Sequence, residues 1–333
     1  MWRDTEFVER NRKIFEEELD AFVPRRVFDA HVHVYNEGVC RPGEPSNVAG
    51  HPVDRYEYGD LFADYAAVLP GREVKAVCFG SPNPDRDNRR NDEYVASAAD
   101  RGRVVPFRLL DPAVDTPESL ERDVAERDFR GLKPYLRFVR DKEPDDVEIP
   151  DMLPDWAMDV ADRRGLAVTL HVPRAARLAD ASNQEHVVRL AKRFPKARII
   201  VAHIGRAYFL RNVLGNLDAF AAHGNLYLDL AMVQNPDVFE HAFERFPLSR
   251  ILFASDAPIA FAPGKAVEIN HQYSYVTPVP WELAIHDAAH RIRFTSFLYE
   301  ELRAIAKAVE RLALDEASVR AIFHDNASTL FGI

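Results

Sequence analysis

Two histidines in a short apolar run are the first residues whose type and spacing could do chemistry. His31 and His33 stand two positions apart, and alternate residues of a strand point to the same face, so both imidazoles could reach one ion. Three further ionisable residues, His171, His203 and Asp256, each follow four to six apolar residues near the end of such a run. A buried imidazole or carboxylate without a partner is costly, and one shared divalent cation would satisfy all five. Nitrogen donors with a carboxylate oxygen suit Zn²⁺, with Mn²⁺, Fe²⁺ and Co²⁺ as alternatives.

These residues lie in a repeated pattern in which a short apolar run is followed by a longer amphipathic stretch. Runs buried on both faces that alternate with helices indicate a parallel sheet. Eight such pairs in about 260 residues are typical of a closed (β/α)₈ TIM-type barrel. An open doubly wound sheet is the structural alternative, but no glycine-rich phosphate-binding turn follows the first run. The predicted strands are 27–34, 74–80, 104–110, 131–136, 166–172, 197–205, 225–231 and 250–258.

Three regions fall outside the repeat. Residues 1–23 are predicted to form an N-terminal helical extension, and residues 24–333 a single barrel domain that ends in C-terminal helices. Long loops are expected after strand 1, over 35–60, and after strand 8, over 258–296. Both would emerge at the C-terminal face of the barrel, where long loops usually shape an active site.

Composition limits the classes of partner. The 333 residues carry 43 basic and 53 acidic side chains, a formal charge of −10, which argues against a general nucleic-acid or anionic-membrane surface. No apolar run approaches the roughly 18 residues that span a bilayer. Two cysteines, Cys40 and Cys78, are too few for a disulfide framework, and with a charged N-terminal segment they predict a cytoplasmic protein. A small-molecule substrate is expected, and a homo-oligomer is left open.

The constellation resembles the amidohydrolase superfamily, in particular its amidohydrolase-2 branch of metal-dependent barrel enzymes. The similarity runs from the FDAHVHV segment to the terminal HDNASTLFGI, over nearly the whole chain. It implies that His31, His33, His171 and Asp256 ligate one divalent metal, with Asp256 also acting as the base that moves a proton between water and leaving group. It further implies that His203 either binds a second metal or polarises the substrate.

Lys133, at the end of the fourth predicted strand, has several possible roles. In two-metal relatives a lysine at this strand is carboxylated and bridges the ions, but here Pro134 and Tyr135 follow it, unlike in those relatives. Lys133 could instead bind a substrate carboxylate or pair with Asp229. We favour one metal with Lys133 facing the substrate. Further substrate contacts are expected from side chains that follow strands four, five and six, since guanidinium groups there would bind a carboxylate or hydroxyl-rich substrate: Tyr135, Arg137, Arg174 and Arg206.

The resemblance predicts that a metal-activated water hydrolyses an amide, ester or lactone. The predicted substrate is a small molecule, and anionic substrates are included. Non-oxidative decarboxylation of an aromatic or unsaturated acid is the alternative, because the same ligands serve it in this branch. Many decarboxylases have Tyr-Pro-His or a similar sequence after the eighth-strand aspartate, whereas this chain has Ala257-Pro258-Ile259. The remaining hypotheses are sugar-acid isomerisation and a metal-binding barrel without catalytic activity.

Overall fold

The computed structural model describes residues 2–333, and its central feature is one eight-stranded parallel sheet in sequential order. The strands follow the predicted apolar runs, although several are shorter, because the polypeptide leaves the regular ladder where the site residues begin. This confirms the predicted (β/α)₈ architecture. The strands are β1 (Arg26–His33), β2 (Glu73–Phe79), β3 (Val104–Leu110), β4 (Gly131–Pro134), β5 (Ala167–Leu170), β6 (Arg198–Val201), β7 (Leu226–Asp229) and β8 (Ile251–Leu252).

The barrel closes where the chain after β8 returns to β1. The Asp256 amide donates to the His31 carbonyl at 2.9 Å, and the His33 amide donates to the Ala257 carbonyl at 2.8 Å. Only two residues of the predicted eighth run form regular strand, yet the segment that follows still pairs with β1. Closure therefore places Asp256 directly beside the two histidines of β1.

Helices cover the outside of the barrel. A long helix follows each of the first seven strands except β6, which is followed by three short turns. The longer helices are Thr5–Ile14, Tyr58–Val68, Asn88–Ser97, Pro117–Arg127, Asp155–Arg164, Ala181–Arg193, Pro236–Arg245 and Phe297–Arg311. Shorter helical segments are Phe15–Leu19, Leu136–Phe138, Ile149–Met152, Arg177–Ala179, His203–Arg206, Leu210–Val213, Asp218–Ala221, Leu248–Arg250, Ile259–Phe261, Glu316–Arg320, Ala321–Asp325 and Asn326–Phe331. Among residues 2–333, none of the helices combines the length and apolarity that crossing a membrane requires.

The last long helix shows why these segments form. Ser296 caps it by accepting the Tyr299 amide, which satisfies one of the free donors of the first turn. Leu298, Leu302 and Ile305 recur at helical spacing and are fully buried against the barrel. Packing of this apolar face fixes the C-terminal region on the sheet.

Two hydrophobic layers make the core. One lies between strands and helices, and the other fills the barrel itself with inward-pointing residues of the strands. The C-terminal Phe331 belongs to the inner layer, with its ring 5.8 Å from those of Phe28 and Phe107. Since Phe28 lies early in β1, the end of the chain plugs the N-terminal mouth of the barrel. The polar residues lie at the opposite, C-terminal mouth of the barrel.

The two predicted long loops contain strands of their own. Ser46–Val48 and His51–Val53 form an antiparallel hairpin after β1. The segment after β8 forms a three-stranded sheet from Lys265–Ile269, Gln272–Thr277 and Ala284–His286. Both insertions contribute residues to the cleft at the C-terminal mouth of the barrel.

Candidate active site

Four of the predicted ionisable residues converge at the C-terminal ends of the strands. Ligand atoms of His31, His203 and Asp256 all lie within 4.8 Å of one another. The His33 Nε2 atom lies 3.2 Å from Asp256 Oδ1. Residues separated by up to 225 positions (from 31 to 256) are thus in contact range because parallel strands end at one rim.

His171 extends this group on the β5 side. Its ring centroid is 5.4 Å from that of His203 and 4.8 Å from that of Tyr135. Its Nδ1 atom is buried and makes no hydrogen bond to any residue in the part of the chain that is described. A buried imidazole nitrogen of this kind needs a partner, and a cation would provide one.

The hydrogen bonds of two rings fix their tautomers. His33 Nδ1 donates to the Gly80 carbonyl at 2.9 Å, and His203 Nδ1 donates to the Ala231 carbonyl at 2.9 Å. A carbonyl oxygen can only accept, so both rings carry a proton at Nδ1, which leaves Nε2 as the atom that can face the cluster. Metal-ligating histidines show this outward donation, which orients the ring and raises its basicity.

His31 is held in the same way by a carboxylate. Its Nδ1 donates to Asp229 Oδ2 at 2.9 Å, while Asp229 Oδ1 accepts the backbone amide of His203 at 2.7 Å.

The Nε2 atom of His31 lies 3.0 Å from Lys133 Nζ. Lys133 is fully buried, and its ammonium stands over the Phe79 ring at 4.6 Å. Burial lowers the pKa of Lys133 to about 8. The lysine contacts a predicted ligand rather than Asp229, and it does not line the cleft described below.

Burial also sets the charges of the other groups. It lowers the pKa of His31, His171 and His203, so these rings are neutral near pH 7. Burial alone would raise the pKa of Asp256, but the neighbouring His31 and His33 outweigh it, and its pKa lies well below the usual range. Neutral imidazoles and an ionised carboxylate are the protonation states that a metal requires of its ligands. The residues present therefore fit a divalent ion of the transition-metal type.

A cleft of about 420 Å³ opens beside this cluster. Four of the predicted site residues line it: His33, Asp256, Tyr135 and Arg137. The remaining wall comes from segments that follow β1, β2 and β8, namely Tyr35, Pro45, Ser46, Asn47, Val48, Ser81, Pro82, Asn83, Arg86, Pro258, Ile259, Trp281, Glu282 and Leu283. A larger cavity of about 540 Å³ lies on the outside of the barrel beside the Asn88–Ser97 helix, and none of the predicted site residues lines it. The smaller cleft is the candidate substrate site because His33 and Asp256 of the cluster line it.

Two predicted substrate residues lie outside the lining of the cleft. Arg174 Nε bonds to Asp180 Oδ2 at 3.0 Å, and its Nη1 lies 3.6 Å from Glu148 Oε1. Arg206 donates to the Val172 carbonyl at 3.2 Å and stands close enough to His171 to add to the lowering of its pKa by burial. Arg174 is thus paired with carboxylates of the outer helices, whereas Arg206 lies beside the histidine cluster.

An arginine–tyrosine stack beside the cluster was not predicted as a unit. Tyr208, after β6, stacks on Tyr273 with ring centroids 4.4 Å apart, and the Tyr208 centroid is 6.1 Å from that of His203. The Arg177 guanidinium lies 4.3 Å from the Tyr273 centroid. Tyr273 was recognisable as an aromatic in the loop after β8, but nothing in the sequence distinguishes Arg177 from Arg174. The stack fixes the small sheet after β8 against the histidine side of the barrel.

Comparisons with known proteins agree with this architecture. A solved amidohydrolase from Burkholderia multivorans, with bound HEPES, is 14% identical over 92% of this chain and 99% of its own, with a TM-score of 0.61. An amidohydrolase 2 from Bifidobacterium longum subsp. infantis is 17% identical over 93% and 100%, and 5-carboxyvanillate decarboxylase from Sphingomonas paucimobilis 13% over 93% and 100%, each with a TM-score of 0.52. At such identities the likeness concerns the fold. No curated protein sequence matches the chain significantly.

The family assignment comes from the sequence. The family model described as amidohydrolase matches residues 28–333, which includes every residue of the histidine and aspartate cluster. The match confirms the resemblance carried by the FDAHVHV segment and the C-terminal residues. The chain therefore belongs to the amidohydrolase-2 family, an enzyme family whose members are generally metal-dependent and act on small substrates.

Proposed function

We propose that this protein is a metal-dependent hydrolase of an amide, ester or lactone in a small substrate. His31, His33, His171 and Asp256 would hold one divalent ion, for which Zn²⁺ suits the donor set. The observation that carries the proposal is that His31, His33 and His203 all form their hydrogen bonds to oxygen acceptors through Nδ1, which leaves Nε2 as the ligating atom of each ring. The Nε2 atoms of His31 and His33 lie 3.5 and 3.2 Å from Asp256 Oδ1.

When bound, the ion would supply Lewis acidity and lower the pKa of a water molecule towards neutrality. Asp256 is the residue placed to move the proton. Its carboxylate is ionised, and its side chain keeps 19% of its surface exposed where it lines the cleft. It can accept the proton of the attacking water and return it to the leaving group.

His203 has two proposed roles, and its tautomer bears on the choice. With its proton on Nδ1, a neutral His203 ring has no Nε2 proton to donate to a substrate carbonyl. Its lowered pKa keeps the ring neutral. The geometry therefore supports His203 as an additional nitrogen donor to the ion more than as a polarising acid. The metal content of a His203 variant separates the two roles. Loss of metal would indicate that His203 is a ligand, and loss of turnover with the metal retained would indicate that it polarises the substrate.

Substrate contacts would come from the cleft and from the arginine beside it. Tyr135 and Arg137 line the cleft, and Arg206 adjoins His171. Lys133 would act on the substrate only through His31, because its Nζ is buried against that ring. A cleft of about 420 Å³ fits a small molecule, within the usual range of roughly 300–1,000 Å³.

The decisive experiment measures metal content and turnover together. Purified protein loaded with Zn²⁺ is expected to hydrolyse simple lactones and esters, and His171→Ala is expected to lose both metal and turnover. His241→Ala, on the outer helix Pro236–Arg245, is the control and should retain both. Release of CO₂ from hydroxybenzoates without ester or lactone cleavage would replace hydrolysis by decarboxylation. Stoichiometric, tightly held metal in His171→Ala would remove that histidine from the ligand set.

A further inference from the structure

Three buried polar groups line the wall of the cleft that follows β1 and β2. They are the Tyr35 hydroxyl, the Ser46 hydroxyl and the Nε atom of Arg86. By bond geometry none of the three is paired with a residue between 2 and 333, although the Ser46 hydroxyl lies close enough to Tyr35 to act on its pKa. Tyr35 is 2% exposed and Ser46 9% exposed, so both are interior groups, and both line the cleft together with the partly buried Arg86.

All three groups are hydrogen-bond donors. Burial raises the pKa of Tyr35, so its hydroxyl stays protonated, and a guanidinium is always charged. A buried donor left without an acceptor destabilises the protein. Three donors around one space, one of them cationic, are complementary to an anion and not to a cation or an apolar group.

The charge of Arg86 is not neutralised by the protein. Its guanidinium contacts the Cys40 thiol and lies 5.8 Å from the Tyr35 ring, and no carboxylate of the described residues stands within 4.0 Å of it. The adjacent Asp85 pairs with Arg41 instead. Most other arginines around the barrel have a carboxylate partner, as Arg174 does. A guanidinium without a carboxylate partner, beside two hydroxyls, is an arrangement that suits a carboxylate.

We infer that Tyr35, Ser46 and Arg86 form a second subsite of the cleft, which binds a carboxylate of the substrate remote from the bond that is cleaved. The inference rests on the proposed function for the other end of the cleft, where His33 and Asp256 stand. It identifies the substrate class as carboxylic acids that carry an amide, ester or lactone elsewhere in the molecule.

The test compares two acids on the metal-loaded protein. Glutarate and butyrate each have one carboxylate for the metal end, and only glutarate has a second for the subsite. Calorimetric titration is expected to show tighter binding of glutarate, and Arg86→Gln should reduce that advantage by about tenfold to a hundredfold, the usual effect of losing a charged hydrogen bond. Tyr35→Phe, which keeps the ring, should reduce it several-fold. Arg89→Gln is the control, since this neighbouring side chain is 88% exposed.

The outcomes separate the subsite from the proposed function. A glutarate advantage unchanged in both Arg86→Gln and Tyr35→Phe would overturn the subsite while leaving metal-dependent hydrolysis intact. If Arg86→Gln weakened the binding of glutarate and of butyrate equally, the subsite would be supported. The same result would contradict the assumption that the carboxylate common to both acids binds at the metal end. With esters, Arg86→Gln should raise the KM for monomethyl glutarate by more than it raises the KM for methyl butyrate, and equal effects on the two KM values would contradict the subsite.

Discussion

Asp229 holds two parts of the metal cluster at once, and an isosteric substitution should separate them. Its Oδ2 accepts the proton of His31 Nδ1 at 2.9 Å, and its Oδ1 accepts the backbone amide of His203 at 2.7 Å. The site therefore demands two acceptors from one side chain. Asn in place of Asp229 has nearly the same shape but only one acceptor oxygen, so one of the two donors would face an NH₂ group.

A tautomer change in His31 would remove this contact between two donors at the lowest energetic cost. If the amide oxygen stays with the His203 amide, His31 must move its proton from Nδ1 to Nε2, and the nitrogen that faces Asp256 loses its lone pair. Loss of a charge-assisted hydrogen bond to a buried group costs about 1.5–3 kcal/mol. We therefore expect Asp229→Asn to weaken metal binding by about tenfold to a hundredfold, as is usual for partners of metal-ligating histidines.

Competition with a chromophoric chelator measures the affinity, and imidazole ¹⁵N shifts report the tautomer. Asp237→Asn is the matched control, because that carboxylate lies on an outer helix and pairs with Arg311. Unfolding in urea checks that the fold persists. Wild-type metal affinity in Asp229→Asn, with His31 still protonated at Nδ1, would contradict this prediction.

Three further substitutions test other parts of the argument. Asp256→Asn should lower kcat by about 10²- to 10⁴-fold while the variant remains folded, as steady-state kinetics and circular dichroism would show; wild-type turnover would remove the proton-transfer role. Gly205→Ala should destabilise the protein by about 1–3 kcal/mol in urea, because φ there is +67° and a Cβ atom would lie 2.9 Å from Leu178 Cδ1. Burial raises the pKa of Asp92 to about 8, above its unfolded value, so the stabilising effect of the protonated group falls as pH rises towards 8. Between pH 5 and 7 the wild type should therefore lose roughly 3 kcal/mol more than Asp92→Asn, and equal losses would contradict this.

The sequence predicted the barrel and its rim because both follow from short-range patterns. An apolar run that ends in an ionisable residue is recognisable without knowing its neighbours, and β5, β6 and the segment after β8 each end in this way at His171, His203 and Asp256. The parallel arrangement then brings the ends together. Fold and approximate position of these residues were therefore accessible from local spacing.

The partners of those residues were not accessible, because they depend on contacts between distant segments. The acceptors that fix His33 and His203 are main-chain carbonyls of Gly80 and Ala231, and a backbone carbonyl has no sequence signature. Arg174 was expected at the substrate, but Glu148, 26 positions earlier, and Asp180 lie beside it instead. Electrostatic pairing across elements decided which arginine stays free, and composition near one strand cannot show this.

Backbone strain is concentrated where the chemistry is proposed. Among residues 2–333, thirteen non-glycine residues have a positive φ, and seven of them lie within seven residues of the end of β5, β6, β7 or β8, including His203, Arg206 and Asp256. Each such conformation costs about 1–2 kcal/mol and persists only where the surroundings determine it. Here the strand ends and the buried layers on both sides of the sheet provide that constraint. Since the strands stabilise the fold and the strained turns present the side chains, substitutions at the turns should alter activity and stability separately, whereas substitutions within the strands should alter both.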